Sequence, residues 1–507
     1  VGNDDGIVIS DSAVVQSTGS GTININGSVA SSSTGEGVLL TNAMVTSATA
    51  RIRIDGSGDQ GDAGVAIMSA GVVSSTVSAD IQITGSGGTD SSDPSEGVFI
   101  AADGSQVTST DGNITIIGTG GASNGPGIRV ESNSTTPAVN VAGAGDVTLT
   151  GTTELSSILR IATGTITFED AALLTGGTQI SSAAAGTIDF NTTLDSRTGE
   201  HNGITVSGGR VTFGADIGTG TNGDQTIGSF DVPTATSIAF GTRTAPGGTS
   251  TVLADDAINL GSVAPISGGI TFDNPSQLLQ TTGDDIRLNG PTILAGALTT
   301  LTTGSTSGGN ITFTNNSPVD SVTGESNNLT LDGGTGSVFF NENIGGTVAL
   351  GTLNVIGADG GILFGQADSE QADGTGPVDV ITVLGEINLG SVNSITGGIV
   401  LDASDDGQTT VSAGGQIRFN GNVDFRATDV TIVSGSATGS DIVFENSLTA
   451  QGNGLTDLTL RAAGNDLQVR GDFGSVGSRF GDVVVTQVND VVIDGNFAAT
   501  SLTQTDV

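Results

Sequence analysis

The stretch RIRIDGSGDQGDAGVAIMSAGVVSSTVSADIQITG, residues 51–85, ends on the motif with which it begins. RIRIDG at 51–56 returns as DIQITG at 80–85, with GVAI at 64–67 between them. In both outer motifs apolar and polar residues alternate, Ile52 and Ile54 in one, Ile81 and Ile83 in the other. That is the period-2 signature of a strand with one buried face. A short strand that recurs about every 30 residues, separated by Gly, Ser, Asp and Asn, describes one coil of a repeat.

Outward from this stretch the pattern holds in both directions. One series reads GIVI at 6–9, GVLL at 37–40, GVAI at 64–67, GVFI at 97–100 and GIRV at 127–130. A second reads TINING from Thr22, RIRIDG from Arg51, DIQITG from Asp80, NITIIG from Asn113 and DVTLTG from Asp146. Gly27, Gly56, Gly85, Gly118 and Gly151 close these second strands. They are expected to be corners, where glycine tolerates positive φ.

From about residue 156 the inward pair becomes Ile-x-Phe or Val-x-Phe, first at Ile166 and Phe168, Ile188 and Phe190, and Val211 and Phe213. It continues through Ile270 and Phe272, Ile311 and Phe313, Val338 and Phe340, Ile362 and Phe364, Ile417 and Phe419, to Ile442 and Phe444. Residues two apart on a strand share a face, so the Phe side chains are expected to stack from coil to coil as a ladder. A longer period lies above the coil, because DAINLGSVAPISGGITFD at 256–273 reappears as GEINLGSVNSITGGIVLD at 385–402. IRLNG at 286–290 likewise returns as IRFNG at 417–421, and NLTLDGGTG at 328–336 as DLTLRAAGN at 457–465.

These periods predict an all-β chain, a right-handed parallel β-helix with coils of about 24–33 residues. Its expected organisation is coils of about 30 residues over 1–155, then three degenerate super-repeats of about 125–130 residues at 156–255, 256–384 and 385–507. The other architecture open to short strands and turns is a row of β-sandwiches, each of about 100 residues. Coil-length repeats without a slower core pattern favour the solenoid.

Composition agrees with a thin aliphatic core: 82 glycines, 17 phenylalanines, and no tryptophan, tyrosine or cysteine. The net charge is -40, and the 13 basic residues are all arginine. Nucleic acid needs clustered cations, and the nearest approach to a cluster is Arg51 and Arg53, so no nucleic-acid partner is expected. No run of apolar residues reaches the roughly 18–20 needed to cross a bilayer as a helix, so no membrane insertion by this segment is expected.

The stretch LTLDGGTGSVFFNENIGGTVALGTLNVIGADGGILF, residues 329–364, resembles giant bacterial surface proteins of the β-strand-repeat and filamentous-haemagglutinin-like adhesin type. The resemblance covers most of 156–507 and, more loosely, the N-terminal coils. It implies a β-helix exported to the cell surface for adhesion or matrix building. Cell-surface, matrix or glycan partners and self-association end to end or side by side would follow from it.

Two other classes share the architecture, β-helical carbohydrate-active enzymes and trimeric phage tail-fibre-like proteins. Glycoside hydrolysis requires at least two carboxyl groups flanking one bond. Paired acids occur at Asp4 and Asp5, Asp255 and Asp256, Asp284 and Asp285, and Asp405 and Asp406, but neighbours on a strand point to opposite faces, so these read as polar corners. The single histidine, His201, sits in the polar turn GEHNG. Arg287 and Arg418 occupy equivalent positions of the super-repeat, and an active site needs only one copy. No catalytic residue and no cofactor are therefore expected. For a metal, calcium is the one candidate, through Asp402, Asp405 and Asp406 of DASDDG, which offer hard oxygen ligands without EF-hand spacing.

Overall fold

A computed structural model describes residues 5–30, 34–89, 95–101, 104–121, 125–131, 135–219, 224–241, 249–304, 308–365, 379–402 and 407–505. The described residues contain strands and turns and no helix. Two compact units divide the chain, Val1–Ile238 and Ala239–Val507. Each is a parallel β-helix whose coils run through three faces, most coils giving a strand to each and some, as at Ile217, Ile344 and Phe473, only an isolated bridge.

In the first unit the first face stacks Ile7–Ile9, Val38–Thr41, Val65–Met68, Val98–Ile100 and Ile128–Glu131, all parallel. The third face stacks Ile23, Ile52, Ile81, Ile114, Val147, Ile166, Ile188 and Val211 in one register column. The two motif series of the sequence are thus two faces of one coil. Along most strands burial alternates, as in Ile81 to Gly85, because successive side chains of a pleated strand point to opposite sides. The aliphatic column also passes unbroken through the change of pattern near residue 155, where Val130 lies against Leu155 and Leu155 against Leu174.

Coil length departs from the expected 24–33 residues at both ends. Val147 lies against Ile166, 19 residues on, and Ile362 against Ile399, 37 residues on. Register fixes only the strands, so the corners absorb the difference. In the short coil a single residue, Ser157, separates Thr153–Ser156 from Ile158–Ile161.

The phenylalanine ladder exists, but on three faces rather than one. In the first unit Phe168, Phe190 and Phe213 stack on the third face at 4.6 and 5.2 Å between ring centroids. In the second unit Phe272 lies on the third face, Phe313, Phe340 and Phe364 stack on the second at 5.0 and 5.2 Å, and Phe419 and Phe444 stack on the first at 4.9 Å. Near-parallel rings one strand spacing apart fall within the favourable range for aromatic pairs.

The cause is the super-repeat. Ile258 is followed in its column by Ile286, Ile311, Val338 and Ile362, which is four turns, and two more faces bring the chain to Ile387. One super-repeat therefore spans four and two-thirds turns. INLG moves from the second face at 258 to the first at 387, and the ITF strand at Ile270 moves from the third face to the second at Ile399. NLTL at 328 moves from the first face to the third at 457.

The strand-closing glycines have a different duty from the one expected. Gly151 alone among them has positive φ, at 116°. Gly27, Gly56, Gly85 and Gly118 are extended and stack in register, and a Cβ on each would lie 1.8–2.0 Å from the carbonyl oxygen of Gly37, Gly64, Gly97 or Gly127. Two glycine columns meet here, backbone against backbone, where the third face hands the chain to the first. The requirement is for close approach, not for left-handed backbone. Gly56→Ala is expected to destabilise the first unit by about 1–3 kcal/mol, the cost of overpacking. Gly177→Ala, where nothing lies within 4 Å, is expected to be neutral. Urea unfolding midpoints of the two variants check this.

Candidate functional site

The paired acids read as polar corners in the sequence, and at many corners single acids and asparagines hold the coils together. Asp80 Oδ1 accepts the backbone N–H of Asn113 at 3.0 Å, Asn113 Oδ1 that of Asp146 at 2.9 Å, and Asp146 Oδ1 that of Thr165 at 2.8 Å. In the second unit Asp285 and Asn310 do the same for Asn310 and Ser337, and Asp441 and Asp466 for Asp466 and Asp490. Each of these residues directly precedes a strand, so its side chain reaches the donor that the turn leaves unpaired in the next coil. The signal was present in DIQITG, NITIIG and DVTLTG, where Asp or Asn stands before the first inward residue.

Arginines bridge coils in a second way. Arg129 pairs with Glu96 of the preceding coil at 2.9 Å, with Glu131 on its own strand, and at 3.9 Å with Glu154 of the next. Glu154 also pairs with Arg197 at 3.0 Å, and the Arg129 guanidinium lies 5.5 Å from the centroid of the Phe99 ring. Of the two arginines weighed for nucleic acid, Arg53 pairs with Asp55 at 2.6 Å and Arg51 bonds Gln82. Arg287 and Arg418 repeat one role: each donates to a carbonyl, Gly261 at 2.9 Å and Gly390 at 3.2 Å. Both glycines are left-handed, at φ 83° and 84°, and Asn289 and Asn420 brace the same carbonyls at 2.8 Å. The loops so held expose Val263 and Val392.

Asp402 is half-buried, with its carboxylate 3.8 Å from Arg426 and its N–H donated to Phe364. Asp405 and Asp406 lie outside the described residues. Among the described residues no three His, Cys, Asp or Glu side chains gather in a metal-binding group. His201 has Nδ1 2.8 Å from Thr226 Oγ1 and Nε2 3.6 Å from Asp224, a contact that ties consecutive coils through an exposed turn.

Four surface clefts of about 680, 510, 250 and 220 Å³ have one ionisable lining residue each, Arg160, Asp170, Asp320 and Asp55 respectively. Acid–base catalysis of glycoside cleavage needs two such groups across one bond, and none of these four supplies the pair. No helix among the described residues is long and apolar enough to cross a membrane. No family model, curated protein or solved structure was found to match this chain.

One carboxyl is strongly perturbed. Burial, a hydrogen bond with Asp5 and the charges of Asp5 and Asp62 push Glu36 up to about 7. A folded-state value above the unfolded one means that the fold binds the proton more tightly. The associated stability is complete below about pH 4.5 and is lost as pH rises through about 7. Raising the pH from 5 to 8 is therefore expected to lower the melting temperature of the first coils, and Glu36→Gln is expected to flatten that dependence. Thermal melts followed across the pH series check this. For the corner ladder, Asp146→Ala is expected to cost about 1 kcal/mol, whereas Asp146→Asn keeps the acceptor and is expected to be tolerated. Amide exchange at Thr165 reads the difference.

Proposed function

We propose that this chain is a structural or adhesive segment of an extracellular fibre at a bacterial cell surface, without catalytic activity of its own. The observation that carries this reading is repetition at every level. One coil motif recurs along three faces, and a super-repeat recurs above it with its Gly261 and Gly390 loops built alike. Selection for one active site does not multiply a surface, whereas an extended scaffold gains contact area with each added coil. The clefts described above, each with one ionisable side chain, support the same reading. So does the resemblance of residues 329–364 to bacterial surface adhesins.

The acidic surface suits such a role, because a charge of -40 keeps long molecules soluble and mutually repelling until salt or divalent cations screen it. Cell-surface, matrix or glycan partners, and a second copy of the chain, are the proposed contacts. Electron microscopy of the purified protein near neutral pH is expected to show uniform thin rods or filaments roughly 20–30 Å across, the width of facing sheets about 10 Å apart with their side chains and loops. Compact particles that cleave a glycan would overturn the proposal. Dissolution of filaments by a chelator would give calcium a structural part in the assembly.

A further inference from the structure

Inside the second unit one inward column of the first face is polar over three consecutive coils. Ser250 lies in register against Gln277, and Gln277 against Thr299. All three are buried, at 3%, 1% and 0% exposure, and Ser250 Oγ, Gln277 Nε2, Gln277 Oε1 and Thr299 Oγ1 have no hydrogen-bond partner among the described residues. The next residue of the column is Leu329, and the column beside it is wholly apolar, Val252, Leu279 and Leu301, each fully buried.

A buried polar atom without a partner costs about 1–3 kcal/mol, and four of them in one column would be a severe burden on a few coils. Equivalent side chains in stacked coils, about 4.8 Å apart, bond directly elsewhere, as Ser501 Oγ does to Asp482 at 2.7 Å and Thr449 Oγ1 to Asp424 at 3.1 Å, whereas Ser250, Gln277 and Thr299 make no such bond among the described residues. A single water fits that interval: at about 2.8 Å from each of two atoms it spans about 4.8 Å with an angle near 120°. Ser250 and Thr299, whose side chains are shorter than that of Gln277, flank it in the column.

The chemistry selects the occupant. Gln277 presents both a donor, Nε2, and an acceptor, Oε1. A cation satisfies only the acceptor and an anion only the donor, while water satisfies both. We propose that Ser250, Gln277 and Thr299 form an internal hydration site, with waters bridging successive coils inside the solenoid. Sealed by Leu329 below and by the aliphatic column alongside, these waters exchange slowly with solvent.

A crystal structure of the full 507-residue chain at a resolution that shows ordered solvent tests this directly. The expected result is solvent density within hydrogen-bonding distance of the Gln277 amide and of Ser250 Oγ or Thr299 Oγ1. Direct side-chain contacts, or a dry column, would overturn it. Water relaxation dispersion gives a second readout, in which the S250A/Q277L/T299V variant, with near-native side-chain volumes, is expected to lose a long-lived water component that the parent shows. If parent and folded variant give the same dispersion, the site is not hydrated. Should the variant fail to fold, the crystal density of the parent still decides.

Discussion

Every feature of this chain depends on the in-register parallel pairing of one coil with the next. Hydrogen bonds between stacked strands place equivalent residues directly over one another, so each side chain meets its counterpart about 4.8 Å away. Like therefore packs on like: isoleucine on isoleucine, ring on ring, glycine on glycine. A column is stable when its residues can bear their own repetition, as the Ile23 to Ile114 column does by closing an aliphatic wall. Asp80, Asn113 and Asp146 bear it because each carboxylate or amide accepts an N–H from the next coil instead of facing a bare charge.

The same rule accounts for the charge. An acid at a corner is useful to the fold when its acceptor reaches a donor one coil away, and the arginines that accompany the acids act across coils as well. Arg129, between Glu96 and Glu154, is the clearest case. These are half-exposed pairs in a screened setting, where a single ion pair contributes little. Their value lies in linking three coils at one point, beside the Phe99 ring.

The architecture was legible because its signal is periodic. Alternation at Ile52 and Ile54, or at Val338 and Phe340, identifies the strand, and recurrence identifies the coil. What the sequence concealed was the phase between its two periods. Nothing in GEINLGSVNSITGG states which face it occupies; that follows from the accumulated lengths of the preceding coils, which run outside the expected range. The glycines at 27, 56, 85 and 118 were correctly placed at the ends of strands, yet their reason is the carbonyl of Gly37, Gly64, Gly97 or Gly127 across the next corner, a contact that the motif itself does not state. Of the candidate calcium ligands, only Asp402 lies among the described residues. Asp402 is directed to Arg426, and a run of acids on one loop carries no statement of which neighbours share it.

The displacement of the super-repeat by one face has a consequence for what a neighbouring molecule encounters. Had the longer period matched a whole number of turns, the braced loops at Gly261 and Gly390 would form a row along one side, and a flat surface could engage them together. A remainder of two-thirds of a turn sends successive copies to different compass directions about the axis. Within the second unit, then, any contact made through that loop is distributed around the circumference, which favours bridging several neighbours over gripping one.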